Sequence, residues 1–231
     1  MNRQQLIELA QSQYPHDTIK ALQDKYGFDP KGMTKFYNHE FQWNSCAERV
    51  EWLGVRQAPP VLRTLDIGPA VGHFPFILKC LGHDVNTIEV PNFPAYTDAV
   101  EALGIPCTKA FVKAKQPLPG DHRNLDLVTA TGVTFDVSED PNAVSNGNVK
   151  LWTVDEWKFF LDDMLRRVNP HGRIMIGFNY NYPCVGPHGG YSEIWITNQS
   201  GFFHWLRSHP LVASAKLDIP RLTIHRNGIS Q

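Results

Sequence analysis

The sequence of 231 residues lacks the patterns that would point to a metal centre or to a disulfide-linked scaffold. It has four cysteines, which are widely spaced and form no CxxC pair, so neither a zinc site nor a disulfide framework is indicated. It also has no HxxxH pattern, and its one acidic cluster, "SEDPN", is typical of a solvated loop. We therefore expect reduced cysteines and no bound metal.

Long apolar runs are absent as well. The longest ones fall far short of the roughly 20 residues that span a bilayer. The N-terminal stretch "MNRQQLIELAQSQYPHD" has a helical polar pattern, without the apolar core and cleavage site of a secretion signal. The sequence therefore predicts no membrane segment and a cytoplasmic location.

Neither sign of charge is in excess, since 22 basic residues face 23 acidic ones. No run of lysines or arginines could follow a phosphate backbone, so nucleic acid is not expected as a partner. With 42% hydrophobic residues the chain can build a proper core, and its length favours one large domain with or without a small appendage. Nothing in the sequence indicates an oligomeric state.

Residues 1–57 differ in pattern from residues 58–231. The first segment has helical spacing of its apolar residues and predicts an N-terminal helical cap or lid. Its aromatic stretch "KFYNHEFQW" either lines a pocket or packs against the sheet. In the second segment strand-like and helix-like stretches alternate, which predicts an α/β domain with a mostly parallel sheet. The predicted strands are 64–67, 85–89, 107–112, 125–131, 173–178, 212–219 and 221–225.

Two predicted helices flank a long loop in the second half of the chain. The first spans 152–168, where Thr153 and Glu156 form a capping box before an apolar stripe, and "NPHGR" then turns into the next strand. The second helix is predicted around 193–207. The loop "NYNYPCVGPHGGYSE" is too long for a mere connector and is typical of a functional loop. The last two strands, joined by a turn at Pro220, can pair only in antiparallel fashion.

The stretch "TLDIGPAVGHFPFIL", residues 64–78, carries the main functional signal. A strand ends in it, Gly68 and Gly72 follow, and a helical apolar run begins. Glycines at this place let a backbone approach a ligand, while the helix N-terminus offers free N–H groups. A dinucleotide-binding G-x-G-x-x-G turn would need glycines where Ala70 and His73 stand, and no GK[ST] follows for a phosphate-binding Walker loop.

The longer stretch "LDIGPAVGHFPFILKCLGHDVNTIEV" resembles the first two motifs of the class I S-adenosylmethionine-dependent methyltransferases. That pattern is an apolar strand, D/E-x-G-x-G-x-G, a helix, and a second strand that ends in an acid. Asp66, Gly68 and Gly72 match the first motif, and Glu89 stands where the second-strand acid belongs. Further along, "NLDLVTATG" and "FFLDDMLRRVNPHGRIMIGFN" resemble the family's fourth strand and its helix, turn and fifth strand.

The resemblance implies a three-layer Rossmann-like sandwich with a mostly parallel seven-stranded sheet and an antiparallel C-terminal strand. It also implies S-adenosyl-L-methionine as the cofactor. Asp66 would anchor the cofactor's amino group, Gly68 and Gly72 would admit its methionine part, and Glu89 would hold its ribose. The other residues placed at the cofactor are Pro69, Ala70, His73, Phe74, Val90 and Thr131.

Three features of this predicted site stay open. Pro69 and Ala70 replace the small residue and the second glycine of the usual loop, which makes the backbone stiffer. No acid follows the third strand, where the family commonly has one for the adenine. His73 either touches the cofactor or faces solvent.

Methyl transfer from a sulfonium depends mainly on alignment of the accepting group, and a general base is needed when that group is a hydroxyl. The candidates for the base are Asp136, His188 and Tyr180, with Tyr182 and His39 as further residues that could reach the acceptor. Each of them could instead be an exposed or packing residue.

The leading functional hypothesis is a methyltransferase that acts on a small molecule or saccharide at oxygen. The alternatives are a methyltransferase-like binding domain without catalysis and a nucleotide-cofactor oxidoreductase.

Overall fold

The structure is a computed structural model and describes residues 1–29, 33–56, 60–133, 135, 151–178, 200–218 and 221–228. The chain divides into two compact units, Met1–Lys109 and Ala110–Gln231. The predicted boundary between a cap and a core domain at residues 57 and 58 stays a prediction.

The first unit begins with helices and continues with alternating strands and helices. Its elements are α1 (Arg3–Gln13), α2 (His16–Tyr26), a 3₁₀ helix (Met33–Tyr37), α3 (His39–Leu53), β1 (Arg63–Ile67), α4 (His73–Cys80), β2 (Asp84–Glu89), α5 (Pro94–Ala102) and β3 (Cys107–Lys109). The third strand was predicted to span 107–112, but it ends at Lys109. In the part of the chain that the structure describes, no helix is long and apolar enough to cross a membrane.

Side-chain caps explain where the N-terminal helices begin. Asn2 accepts a hydrogen bond from the backbone N–H of Gln5, whose side chain accepts in return from the backbone of Asn2, and this capping box starts α1. At α3 the side chain of Asn38 accepts a hydrogen bond from the backbone N–H of Phe41, and Gly54 ends that helix in the left-handed conformation.

The second unit contains β4 (Leu125–Thr131), α6 (Val154–Arg167), β5 (Val168–Gly177), α7 (Ser200–Ser208), β6 (Val212–Asp218) and β7 (Arg221–Arg226). The predicted capping box of Thr153 and Glu156 is confirmed at the start of α6. The apolar stripe of that helix is fully buried, as its period predicts; it consists of Trp157, Phe160, Leu161, Met164 and Leu165.

The connection between α6 and β5 differs from the prediction. The sequence "NPHGR" was expected to form a turn before the strand, but β5 already begins at Val168. Leu125 of β4 pairs with Val168, and Leu127 pairs with Arg173, so residues 169–172 bulge out of the ladder. His171, in that bulge, has a φ of 66°.

The seven strands form one sheet in the order β3-β2-β1-β4-β5-β7-β6. β1, β2 and β3 pair in parallel, as do β4 and β5. β7 runs antiparallel to both β5 and β6. The predicted fold class is therefore confirmed: this is a Rossmann-like, mostly parallel seven-stranded sheet with an antiparallel strand near the C-terminus.

Candidate functional site

The turn between β1 and α4 has an unusual backbone. Gly68, Ala70 and Gly72 have φ angles of 70°, 52° and 84°. Glycine reaches this left-handed region without strain, whereas a residue with a Cβ costs about 1 kcal/mol or more there. Ala70 is therefore a strained position in the middle of the turn, and other contacts must hold it.

Gly72 is required by packing as well as by its backbone angle. Its N–H donates to the carbonyl of Pro69 at 3.0 Å, and its own carbonyl accepts from Phe76 in the first turn of α4. A Cβ added at Gly72 would lie 2.7 Å from Leu103 Cδ1, just beyond the end of α5. The glycine thus lets α4 begin directly against the α5 segment, which is a structural reason for its presence besides ligand binding.

Glu89, at the end of β2, closes the turn from the side. Its Oε2 accepts the backbone N–H of Ala70 at 3.1 Å, and its Oε1 accepts the N–H of Val90 at 2.8 Å. The side chain is only 5% exposed. The bond to Ala70 holds the strained residue of the turn in place, across 19 positions of sequence.

The same surroundings shift the acidity of Glu89. The pKa of its carboxyl is about 7: burial raises it most, the hydrogen bonds from Val90 and Ala70 lower it, and the charge of Asp66 raises it. Asp66 is itself buried at the end of β1, with 2% of its surface exposed. Two acidic groups therefore lie at adjacent strand ends in a site of low polarity.

The free acceptor positions of Glu89 fit the ribose of the cofactor that the sequence resemblance implies. An ionised carboxylate has about four lone-pair directions, and two of those on Glu89 accept backbone N–H groups. The remaining ones can accept the two hydroxyl groups of a ribose. The left-handed turn and the start of α4 offer backbone rather than bulky side chains to the rest of the ligand.

His73 follows the turn but its side chain points into the protein. It is 2% exposed, and its Nε2 lies 2.9 Å from Nδ1 of His39 at the start of α3. Its ring stacks on Tyr14 with centroids 5.6 Å apart and meets Trp43 edge-on at 4.5 Å. The alternative that His73 faces solvent is therefore wrong, and a contact with a cofactor would involve its main chain.

Burial governs the charge of this histidine pair. Burial, as the larger effect, and the nearby His39 together lower the pKa of His73 to about 3. The pKa of His39 is also lowered, first by burial and then by His16. The pair is neutral at physiological pH, so one ring donates an N–H to a lone pair of the other.

The aromatic stretch of the N-terminal segment has mixed roles. Tyr37 and Trp43 are 1% and 2% exposed, and both pack on helices: Tyr37 donates its hydroxyl to Ala95 of α5, and Trp43 contacts the ring of Phe76 on α4. These two residues pack, as predicted, but their partners are helices and not the sheet. Phe41 is 65% exposed and is therefore not packed in the core.

The remaining predicted cofactor residues have varied surroundings. Pro69 is buried in the turn. The ring of Phe74 is 2% exposed, and the guanidinium of Arg49 lies over it, 4.6 Å from the ring centroid. Phe74 therefore packs in the core. Thr131 ends β4 in the second unit, where its methyl group would lie 2.8 Å from a Cβ at Gly177. Its hydroxyl is buried without a hydrogen-bond partner among the described residues.

The candidates for a general base, Asp136, Tyr180 and His188, lie outside the described residues, as does Tyr182. His39 lies within them and binds His73. Within the described ranges, no group of three or more histidine, cysteine, aspartate or glutamate side chains could hold a metal ion.

Sequence reasoning missed two parts of this arrangement. Tyr14, between α1 and α2, contributes to the histidine cluster, yet it stands in a polar stretch with no motif around it. The hydrogen bond from Ala70 to Glu89 was missed as well, although a residue other than glycine in a left-handed turn calls for such a partner.

No family model matches the chain, and no curated protein matches it. Many solved structures do resemble it. A methyltransferase from Aquifex aeolicus described as S-adenosylmethionine-dependent is 15% identical, with 87% of this chain and 98% of that chain covered and a TM-score of 0.47. CalS10 from Micromonospora echinaspora, described as an amino pentose methyltransferase, is 22% identical, with 58% of this chain covered and a TM-score of 0.39.

A protein-L-isoaspartate O-methyltransferase is 15% identical over 60% of this chain, with a TM-score of 0.39. The chain spans 37% of the length of that enzyme and 49% of the length of CalS10. The strand order of the sheet, and not these likenesses, defines the fold.

Proposed function

We propose that this protein is an S-adenosylmethionine-dependent methyltransferase that transfers a methyl group to a hydroxyl of a small molecule or saccharide. The observation that supports it best is the left-handed turn from Gly68 to Gly72, bound to the buried carboxylate of Glu89 at the end of the neighbouring strand. Such a turn with an acid beside it suits a nucleoside whose ribose binds the acid and whose tail lies along the backbone.

The turn and the two acids beside it have definite tasks in this proposal. Glu89 accepts hydrogen bonds from the ribose, and Asp66 attracts the cofactor's ammonium group. Gly68 keeps a side chain away from the methionine part, Gly72 lets α4 begin close to α5, and the first N–H groups of α4 bind the carboxylate of the methionine part. When bound, the cofactor supplies a methyl group on a sulfonium, which is already activated for transfer. The protein then needs mainly to align the acceptor and to exclude water.

A hydroxyl acceptor also needs a group that takes its proton. Asp136, Tyr180 and His188 are the three candidates for this group. Thr131, at the carboxyl end of β4, has a different proposed role, which is to contact the cofactor. Replacing each of the three candidates separately identifies the base: loss of turnover with unchanged cofactor affinity is the expected result for one of them.

An oxidoreductase with a nicotinamide cofactor is a weaker alternative. The third glycine of a dinucleotide turn allows close packing of helix against strand, and here that position holds His73, whose ring is enclosed by Tyr14 and Trp43. A binding domain without catalysis stays a second alternative, since Pro69 and Ala70 stiffen the turn.

Calorimetric titration with S-adenosylmethionine, S-adenosylhomocysteine and NADH tests the cofactor. We expect binding of the first two and none of NADH. Glu89→Ala should weaken binding by roughly 1–3 kcal/mol, because it removes the ribose acceptor. Glu101→Ala is the matched control, since that carboxylate lies on α5 and pairs with Lys109. Absence of binding to both sulfur ligands would refute the proposal.

Turnover is measured separately by the release of S-adenosylhomocysteine in the presence of hydroxylated acceptors. Binding without turnover on any saccharide or small phenol would favour the non-catalytic alternative.

A further inference from the structure

Glu89 has more to do than accept a ribose. In the structure its carboxylate holds the N–H of Ala70, the residue with a φ of 52° in the middle of the turn. The same carboxylate also binds the N–H of Val90, the first residue after β2. It therefore ties the turn after β1 to the end of β2, before any ligand is considered.

Opposing effects act on the protonation of the Glu89 carboxyl. Burial and the charge of Asp66 on β1 favour the neutral form, and the two N–H donors favour the ionised form. Burial raises the pKa of the Cys107 thiol on β3, and the nearby charge of Glu89 also raises it. Lys109, at the end of β3, forms its ion pair with Glu101 at 2.6 Å. The result is a pKa of about 7 for Glu89.

We infer that Glu89 is a positioning residue for the turn and that it couples cofactor binding to the release of one proton from its own carboxyl group. This inference rests on the proposed function. In the step, the O–H bond of the neutral carboxyl breaks and the proton passes to the solvent. The two ribose hydroxyls then donate to the free lone pairs of the carboxylate, so four donors stabilise the ionised form in place of two.

The size of the coupling follows from proton linkage. A group with a pKa of about 7 is half protonated at neutral pH, so binding should release roughly half a proton per ligand at about pH 7 and nearly a whole proton at about pH 6. If the carboxyl stays ionised in the complex, affinity should fall roughly tenfold from about pH 8 to about pH 6.

The experiment is calorimetric titration of the wild-type protein with S-adenosylhomocysteine at about pH 6, 7 and 8, each in two buffers of different ionisation enthalpy. The difference between buffers gives the number of protons released. Adenosine serves as a second probe, because it carries the ribose diol without the titratable amino acid part. We expect both probes to release protons and to bind more weakly at the lower pH.

Variants separate this role from a merely structural one. Glu89→Gln keeps the size of the side chain but cannot ionise, so its affinity should be lower at high pH and independent of pH over this range. Glu101→Gln also removes one carboxylate from the first unit and should keep the proton release and the pH dependence of the wild type. The proton release of the wild type is measured without any variant. The test therefore stays valid even if Glu89→Gln folds poorly.

The possible results are distinct. Binding with no proton release and with equal affinity across the range would overturn the inference and leave the proposed function standing. Binding of neither probe at any pH would overturn both. Proton release that persists in Glu89→Gln would assign the coupling to another group and would also overturn the inference.

Discussion

His73, the buried histidine at the start of α4, should make the protein sensitive to acid. His73 has a pKa of about 3 in the folded chain against an ordinary value of 6.5, because burial disfavours its charged form. The unfolded chain therefore binds more protons than the folded one between these values, so stability is lost as pH falls below 6.5. At about pH 4 the loss attributable to His73 is roughly 3 kcal/mol, and below its folded pKa it reaches roughly 5 kcal/mol.

The variant His73→Gln isolates this contribution. Glutamine does not titrate, and its amide can still form a hydrogen bond with Nδ1 of His39. It loses the ring contacts with Tyr14 and Trp43, so the variant should be less stable than the wild type by about 1–3 kcal/mol at neutral pH. That advantage of the wild type should shrink steadily as the pH is lowered.

The assay is urea-induced unfolding of both proteins at neutral pH and at about pH 5.5 and 4, followed by tryptophan fluorescence. The informative quantity is the difference between the two free energies of unfolding, in which the titration of all other groups largely cancels. We expect this difference to change by roughly 3 kcal/mol across the range. Parallel pH profiles would show that His73 titrates normally in the folded protein and would refute the reasoning.

Three further predictions concern stability and are checked by thermal or urea-induced unfolding. Gly72→Ala should cost about 2–3 kcal/mol of stability, since the residue has a φ of 84° and a Cβ would lie 2.7 Å from a leucine methyl. Its control Gly54→Ala, at a φ of 63° with open space around it, should cost only about 1 kcal/mol. Equal costs of the two variants would contradict the packing argument. Tyr26→Phe should cost about 1–2 kcal/mol by removing the hydroxyl that donates to Asp98, with no loss at all as the contrary result. Thr153→Ala should cost about 1 kcal/mol through loss of the α6 cap, whereas Thr153→Ser should be close to neutral.

The elements of the fold were largely predictable because their signals are local. An apolar run such as 125–131 predicts a strand, and the structure has β4 at Leu125–Thr131. The capping box at Thr153 marks the beginning of α6 within a few residues. The bulge after Val168 was not predictable, because it depends on how β5 fits its register to β4.

The predicted site was only partly accessible to the same reasoning. The spacing of Asp66, Gly68, Gly72 and Glu89 follows from a resemblance of motifs, and the structure places all four in the first unit. His73 was different: its neighbour His39 lies 34 positions away, and no sequence periodicity connects the two rings. For the same reason the aromatic packing of Trp43 on α4 could not be told from a pocket-lining role.

The sequence by itself determined the order of helices and strands, their caps and the position of the glycine-containing turn, because apolar periodicity, β-branched runs and capping residues act within a few positions of the chain. Only the tertiary structure decided the protonation of its functional groups. In the folded chain Glu89 is buried against the N–H of Ala70, and His73 is buried between aromatic rings. Burial raises the pKa of Glu89 and lowers the pKa of His73. Solvent exclusion and distance in space set both pKa values, and these arise when segments remote in sequence pack together.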